Sequence, residues 1–240
     1  MQNDSILRKL IQFNTAESDS TNRYEPHRTD EKGSARAGGR PRSTEGEQIF
    51  SILQSGDKWP CFGGYLFRRV AENNTPVLSF AVQDMTEDEI QAANGHYLRF
   101  NALDPQGFLC YWKYRSFDRY TVFDFFSSDR QTLRECQESS HRPWKPEEMM
   151  QKLTTRLVQY HNRLTTQHLS YYPLSCLSMD TVLMDSEEDI YILPLVPHNG
   201  RYPMEIPREA SLNNGGSSRS DLFSAAYVSV LFCSEMESPD

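Results

Sequence analysis

The chain has 240 residues, 38% of them hydrophobic and 24% charged, with a formal net charge of −8. That balance suits one ordered domain with tails and excludes the basic face that a general nucleic-acid binder needs. No apolar run approaches the roughly 20 residues of a membrane span.

The first ten residues lack the apolar core and small-residue cleavage site of a signal peptide, so the expected location is the cytoplasm. Residues 4–14 place Ile6, Leu7, Leu10 and Ile11 on one side of a short helix, with Ser5 near its start. Residues 15–47 lose all periodicity and nearly all large apolar groups. Such a stretch cannot bury enough surface to offset its ordering entropy, and disorder is expected there. Order is expected to resume at Gln48. Strands are predicted over 63–70 and 77–82, around a turn at 72–75. Residues 86–103 read as a helix, with Thr86 as N-cap. Glu87, Asp88 and Glu89 sit at the positive end of its dipole, and Ile90, Tyr97 and Leu98 are its expected buried face. A turn at 104–107 leads to strands over 108–114 and 119–126.

After Ser127 the sequence turns polar. Pro146 opens the clearest helix, about 146–168, in which Met149, Met150, Leu153, Leu157, Tyr160 and Leu164 recur at helical spacing. His161 and His168 have no carboxylate or cysteine at ligand spacing, so no metal site is expected. Apolar runs at 182–184 and 190–193 flank the acidic turn 185–189 and read as a β-hairpin stopped by Pro194. Residues 197–220 are irregular, 222–232 form an apolar helix, and a polar tail follows. Five cysteines, Cys61, Cys110, Cys136, Cys176 and Cys233, are widely spaced without a C-x-x-C pair. They suit reduced thiols rather than disulfides or zinc.

Three local patterns carry a family resemblance. Arg119 to Phe126 looks like the strand entering the hinge of a protein kinase, with Asp124 at the usual acidic position. Leu177-x-x-x-Thr181-Val182-Leu183 is similar to the L-K-x-x-N-I-L half of the kinase catalytic loop. Ser220-Asp221-Leu222-Phe223-Ser224 resembles the S-D-V-[WY]-S start of the helix that anchors the kinase C-lobe. The resemblance implies an α+β, protein kinase-like two-lobed fold. An N-terminal arm (1–47) would precede a small antiparallel-sheet N-lobe (48–126), a truncated helical C-lobe (127–233) and a tail (234–240).

Phosphoryl transfer in that family needs a glycine loop over the phosphates, a lysine on the third strand, a catalytic aspartate and metal ligands. The resemblance puts the glycine loop at 57–64. There Gly63 and Gly64 are adjacent, outside the G-x-G-x-x-G spacing, and Pro60 has no N–H to offer. The lysine position falls on Phe80, and no lysine lies between Lys58 and Lys113. The catalytic aspartate falls on Cys176 and the metal-binding asparagine on Thr181. The D-F-G falls on Pro194-Leu195-Val196, which supplies no anionic oxygen for Mg²⁺. Phe123 falls where kinases limit access behind the nucleotide, and with Phe80 it implies a filled cleft.

The expectation is therefore a catalytically inactive pseudokinase, similar to short, motif-poor bacterial signalling domains. It would act as a protein-interaction or scaffolding module with no cofactor and no metal. Its partners would be proteins rather than nucleic acid, met through the outer face of the 86–103 helix, the 197–220 segment or the 15–47 arm. An atypical Ser/Thr kinase that retains ATP binding is one alternative; an unrelated α+β interaction domain is another. At residue level, Asp180 as a displaced base and Cys176 as a nucleophile served by His161 or His168 compete with a solvated loop charge and a buried thiol. An aromatic pocket of Phe117, Phe123, Phe125 and Phe126 competes with plain core packing.

Overall fold

The computed structural model describes residues 44–71, 74–139, 144–170, 174, 176–198 and 218–234, all within the unit Arg42–Asp240. The predicted helix at 4–14, the arm up to residue 43, most of the 197–220 segment and the tail lie outside these residues.

The described fold is mixed α+β. Helix α1 (Thr44–Gln54) precedes strands β1 (Trp59–Cys61), β2 (Gly64–Ala71) and β3 (Thr75–Gln83). Helix α2 (Glu87–Leu103) follows, then β4 (Tyr111–Phe117) and β5 (Tyr120–Phe126). These five strands form one sheet in the order β1-β2-β3-β5-β4, and every neighbouring pair is antiparallel. Strand β6 (Gln131–Thr132), helix α3 (Leu133–Ser139) and helix α4 (Pro146–Thr166) come next. Strands β7 (Val182–Met184) and β8 (Ile190–Ile192) complete a second sheet ordered β6-β7-β8, and helix α5 (Ser218–Ser234) is the last element.

The five-stranded sheet is covered on both faces, and strand alternation explains how. Phe67, Ala81 and Val122 point to one side, where they meet Ile49 and Leu53 of α1. Leu66, Leu78, Phe80, Phe123 and Phe125 point to the other. There they join Ala93, Tyr97 and Phe100 of α2 in a core that continues to Leu153 and Leu157 of α4 and Phe232 of α5. Each fully buried side chain of this size contributes about 1.5–3 kcal/mol from lost water contact.

The α2 start follows the predicted chemistry. Thr86 accepts from the Glu89 N–H, while the Glu89 side chain accepts from the Thr86 N–H, a reciprocal capping box. Its buried face is Ile90, Ala93, Tyr97, Phe100 and Leu103, whereas Leu98 is 40% exposed. A helical turn of 3.6 residues carries position 98 past the 93–97–100 stripe, so the expected burial of Leu98 is corrected.

Other boundaries move for local reasons. Helix α1 starts at Thr44, ahead of the expected Gln48, and Glu45 in its first turn reaches two arginines of the sheet. The strand expected at 108–114 starts at Tyr111; Phe108 instead bridges to Ile192 of the second sheet. The polar stretch after Ser127 holds β6 and α3. Gln137 of α3 donates to the Phe232 carbonyl at 2.9 Å, satisfying the end of α5. The acidic turn of the β7–β8 hairpin closes around Asp185, whose Oδ1 accepts from the N–H groups of Glu187 and Asp189.

Candidate functional site

The two adjacent glycines mark a close approach. Gly63 has φ +85°, a conformation open to glycine and costly for other residues. A Cβ on Gly63 would overlap the His198 carbonyl, and one on Gly64 would lie 2.7 Å from the Phe80 ring while overlapping the Ala81 carbonyl. The β1–β2 turn thus sits directly on Phe80 and on the segment that follows β8.

That segment forms a strap between the turn and α2. The His96 imidazole Nε2 lies 3.1 Å from the Pro194 carbonyl, so the neutral ring donates there. The Val196 N–H donates to the Tyr97 hydroxyl at 3.4 Å, and the His198 N–H donates to the Phe62 carbonyl at 2.9 Å. Leu195 is buried. Burial pushes the His96 imidazole down to about 4, a shift the Pro194 carbonyl partly opposes.

Beneath the strap is an aromatic cluster. Phe80 and Phe123 are cross-strand partners on β3 and β5, both buried. Tyr97 meets Phe123 and Phe125 edge-on at 5.2 and 5.1 Å between centroids, a favoured arrangement for rings with opposed quadrupoles. Tyr111 donates its hydroxyl hydrogen to Asn94 at 2.8 Å. Phe123 and Phe125 are core, while Phe117 and Phe126 are only partly buried, so the four rings named from the sequence do not share one pocket wall.

The 176–181 loop is held by its own polar atoms. Thr181, fully buried, accepts from the Ser178 N–H at 2.9 Å and donates to the Cys176 carbonyl. Cys176 is sealed as well. Burial first, and the nearby Asp221 carboxylate second, push its thiol well above the usual range, which keeps it protonated and a poor nucleophile. Asp221, at the start of α5, accepts the Leu174 N–H with both carboxylate oxygens at 3.2 Å. Asp180 is gripped by Arg134 at 2.6 and 3.1 Å. His161 is on α4 and His168 just beyond its end, and neither is brought to Cys176 by any described contact. All five cysteines are free thiols, four of them buried. Among the described residues no group of three or more His, Cys, Asp or Glu side chains is arranged to hold a metal ion.

Above these sealed residues lies a half-open cleft of about 620 Å³, bounded by the β1–β2 turn, the first turn of α2, Ser178, Asp180 and His198. It brings together Gly63, Gly64 and the 178–180 loop. Phe123 and Pro194 lie outside its lining, and Phe80 reaches it only through contact with Gly64. Its volume falls in the range of small-ligand and peptide-anchor sites.

Sequence reasoning missed two groups. His96 and His198 were unassigned and Tyr97 was read only as part of the buried face of 86–103, although the Gly63-Gly64 pair already signalled that another backbone comes close. The second is a buried charged cluster on the opposite face of the sheet. Arg69 donates to Asp124 at 2.6 Å, to Ser79 at 3.0 Å and to Glu45 at 2.7 Å. Ser79 donates to the other Asp124 oxygen at 2.7 Å, and Arg115 pairs with Glu45. Charges inside otherwise apolar strands were its signal.

These features define a mixed α+β domain with a half-open cleft above the buried Cys176 and Thr181, and no helix long and apolar enough to cross a membrane among the described residues. No protein-family model matches the chain, and no curated protein does.

Proposed function

We propose that the chain is a kinase-like domain that has lost phosphoryl transfer and acts in the cytoplasm as a protein-interaction or scaffolding module. Three structural features support the kinase-like part. A five-stranded antiparallel sheet ordered β1-β2-β3-β5-β4 has a long helix inserted between β3 and β4. The β7–β8 hairpin follows the loop that resembles a catalytic loop. Helix α5, whose first turn carries Ser220-Asp221, is tied to that loop through Asp221 and Leu174.

The observation that carries the loss of chemistry is the Phe80 ring pressed against Gly64. The resemblance puts a phosphate-binding lysine at that position, beneath the glycine turn. A buried phenyl ring offers no charge to a phosphate and occupies the space a lysine stem would need. Cys176 and Thr181, at the catalytic and metal positions, are committed to burial and to closing their loop. The interaction part draws support from α5, where Phe223, Tyr227 and Val230 recur at helical spacing and are 52%, 39% and 58% exposed. An exposed apolar stripe of this kind on a soluble helix marks a contact surface.

The rival reading, a nucleotide-binding kinase with rearranged residues, draws on the cleft itself. A thermal-shift titration with ATP and Mg²⁺ separates the two. Nucleotide at a hundredfold above its Kd would add about 2.7 kcal/mol and raise the melting temperature by about 5–10 °C in a chain this size. We expect no such rise. A saturable, metal-dependent increase would overturn the inactive reading.

A further inference from the structure

Helix α5 is apolar on two sides. Its inward face, with Ala225, Val228 and Phe232, is buried in the main core. Its outward face carries Leu222, Phe223, Ala226, Tyr227 and Val230, all of them exposed. There the Phe223 and Tyr227 rings stack on each other at 6.3 Å between centroids. From Leu222 to Ser234 the helix holds no charged residue. A helix this apolar all round belongs in an interior, so its outward face calls for a cover in the assembled molecule.

The charges at the two ends of α5 are the second, independent observation. Arg219 is exposed in the first turn. Asp221 of the same turn is buried and takes the Leu174 N–H, which leaves Arg219 as the charge this end presents to solvent. The last turn holds no basic residue, and the sequence continues after Ser234 with Glu235 and Glu237. A helix favours negative charge at its start and positive charge at its end. Both signs are reversed for α5 alone. Beside a second α5 running the opposite way both are right, because each Arg219 approaches the C-terminal end of its neighbour.

We propose that α5 pairs with the α5 of a second copy of this chain, antiparallel, about a two-fold axis at Ala226. Positions 219, 223, 226 and 230 follow the four-three-four spacing of a coiled-coil seam. Ala226 at its middle lets two backbones approach, and Phe223 of each copy then meets Val230 of the other. A two-fold interface needs a self-complementary patch, and a small central residue with a ring on either side supplies one. An uncharged face offers nothing to a charged partner segment. Phe223 and Tyr227 each offer about half of the ~200 Å² of an aromatic side chain, and the whole stripe comes to roughly 400 Å² per copy. The pair would bury about 800 Å², short of the ~1,200 Å² at which stable specific interfaces begin. The dimer is therefore weak and concentration-dependent. The proposal rests on the contact-surface reading of α5 and names its occupant.

Sedimentation equilibrium of the full chain tests it. The average mass should rise from one chain to two with a Kd of about 10–100 µM. F223E and A226R should each weaken association about tenfold or more, while L98E, at an exposed leucine of α2, should leave it unchanged. R219E and E235R/E237R should each weaken it about threefold, and the triple substitution should restore it. A226C should form a disulfide between copies on mild oxidation, because residue 226 faces itself across the axis, and L98C should not. A single-chain mass at every concentration up to about 1 mM overturns the second-copy occupant, as does an equal loss in L98E. A dimer that persists while A226C stays reduced overturns the antiparallel pairing. If F223E instead lowers the melting temperature of the monomer, the ring is packed within its own chain, and the contact-surface reading falls with the proposal.

Discussion

Gly64 leaves the room that Phe80 fills, so the two residues form one structural unit. A methyl group at position 64 meets the Phe80 ring and the Ala81 carbonyl, and the carbonyl cannot rotate away. Overpacking of this kind costs about 1–3 kcal/mol, and Gly64→Ala should lower the urea midpoint accordingly without changing the m-value. Gly95 is the control. It lies inside α2 with nothing within 4 Å of an added Cβ, so Gly95→Ala should stabilise the fold by about 0.5–1 kcal/mol through helix propensity. If both substitutions destabilise equally, Phe80 is not pressed against the turn. Pro60 and the adjacent glycines could be read from the sequence as a turn outside the G-x-G-x-x-G spacing. The packing reason for Gly63 could not, because it resides in the His198 carbonyl, over a hundred positions away in the chain.

At the scale of elements, the buried Arg69–Asp124–Ser79–Glu45 cluster binds α1 to the sheet. The Arg69 and Asp124 side chains are 0% and 1% exposed, so removing either partner strands a charge without solvent. Asp124→Ala and Arg69→Ala should each cost about 3–5 kcal/mol, while the double substitution R69M/D124L should cost less than their sum, because it removes both charges together. Additive losses in a denaturation cycle would mean that the pair is not coupled. Asp124 was singled out in the sequence by its resemblance to the acid of a kinase hinge strand; its burial against Arg69 could not be read there. The strongly periodic elements were legible: α2 with its Thr86 N-cap, the Met149–Leu164 stripe of α4 and the β7–β8 hairpin all lie where their patterns put them. Short elements were not. Strand β6 has two residues and helix α3 seven, too few for periodicity to rise above a polar background. Their existence depends on partners: Thr132 pairs with Leu183, and Gln137 with the end of α5.

Across the whole molecule, residues distant in sequence converge on the strap between the β1–β2 turn and α2, and this convergence is what local patterns could not reveal. Cys176, Thr181 and Pro194 could be singled out by resemblance alone; their parts in sealing a loop and docking a strap required the fold. One of these contacts ties stability to pH. The His96 imidazole is held down to about 4 by burial, against an unfolded value near 6.5. Above pH 6.5 it is neutral in both states and contributes nothing to the pH slope. As pH falls from 6.5 towards 4, the unfolded chain takes up a proton that the folded one refuses, so stability declines across that window. By linkage the loss is about 2 kcal/mol at pH 5 relative to pH 7. Burial lowers the His161 imidazole too, and it acts in the same sense. The depressed carboxyls of Glu89 and Glu135 lose their contribution only at lower pH, as it falls below the ordinary carboxylate value of about 4.5 and through their folded values. His96→Gln keeps an amide donor for the Pro194 carbonyl and removes the titration. Its unfolding free energy should therefore change less between pH 7 and pH 5 than that of the unmodified chain, by about 2 kcal/mol. Parallel pH profiles for the two proteins would show that His96 is not buried as a neutral ring, and that the strap is held to α2 by some other contact.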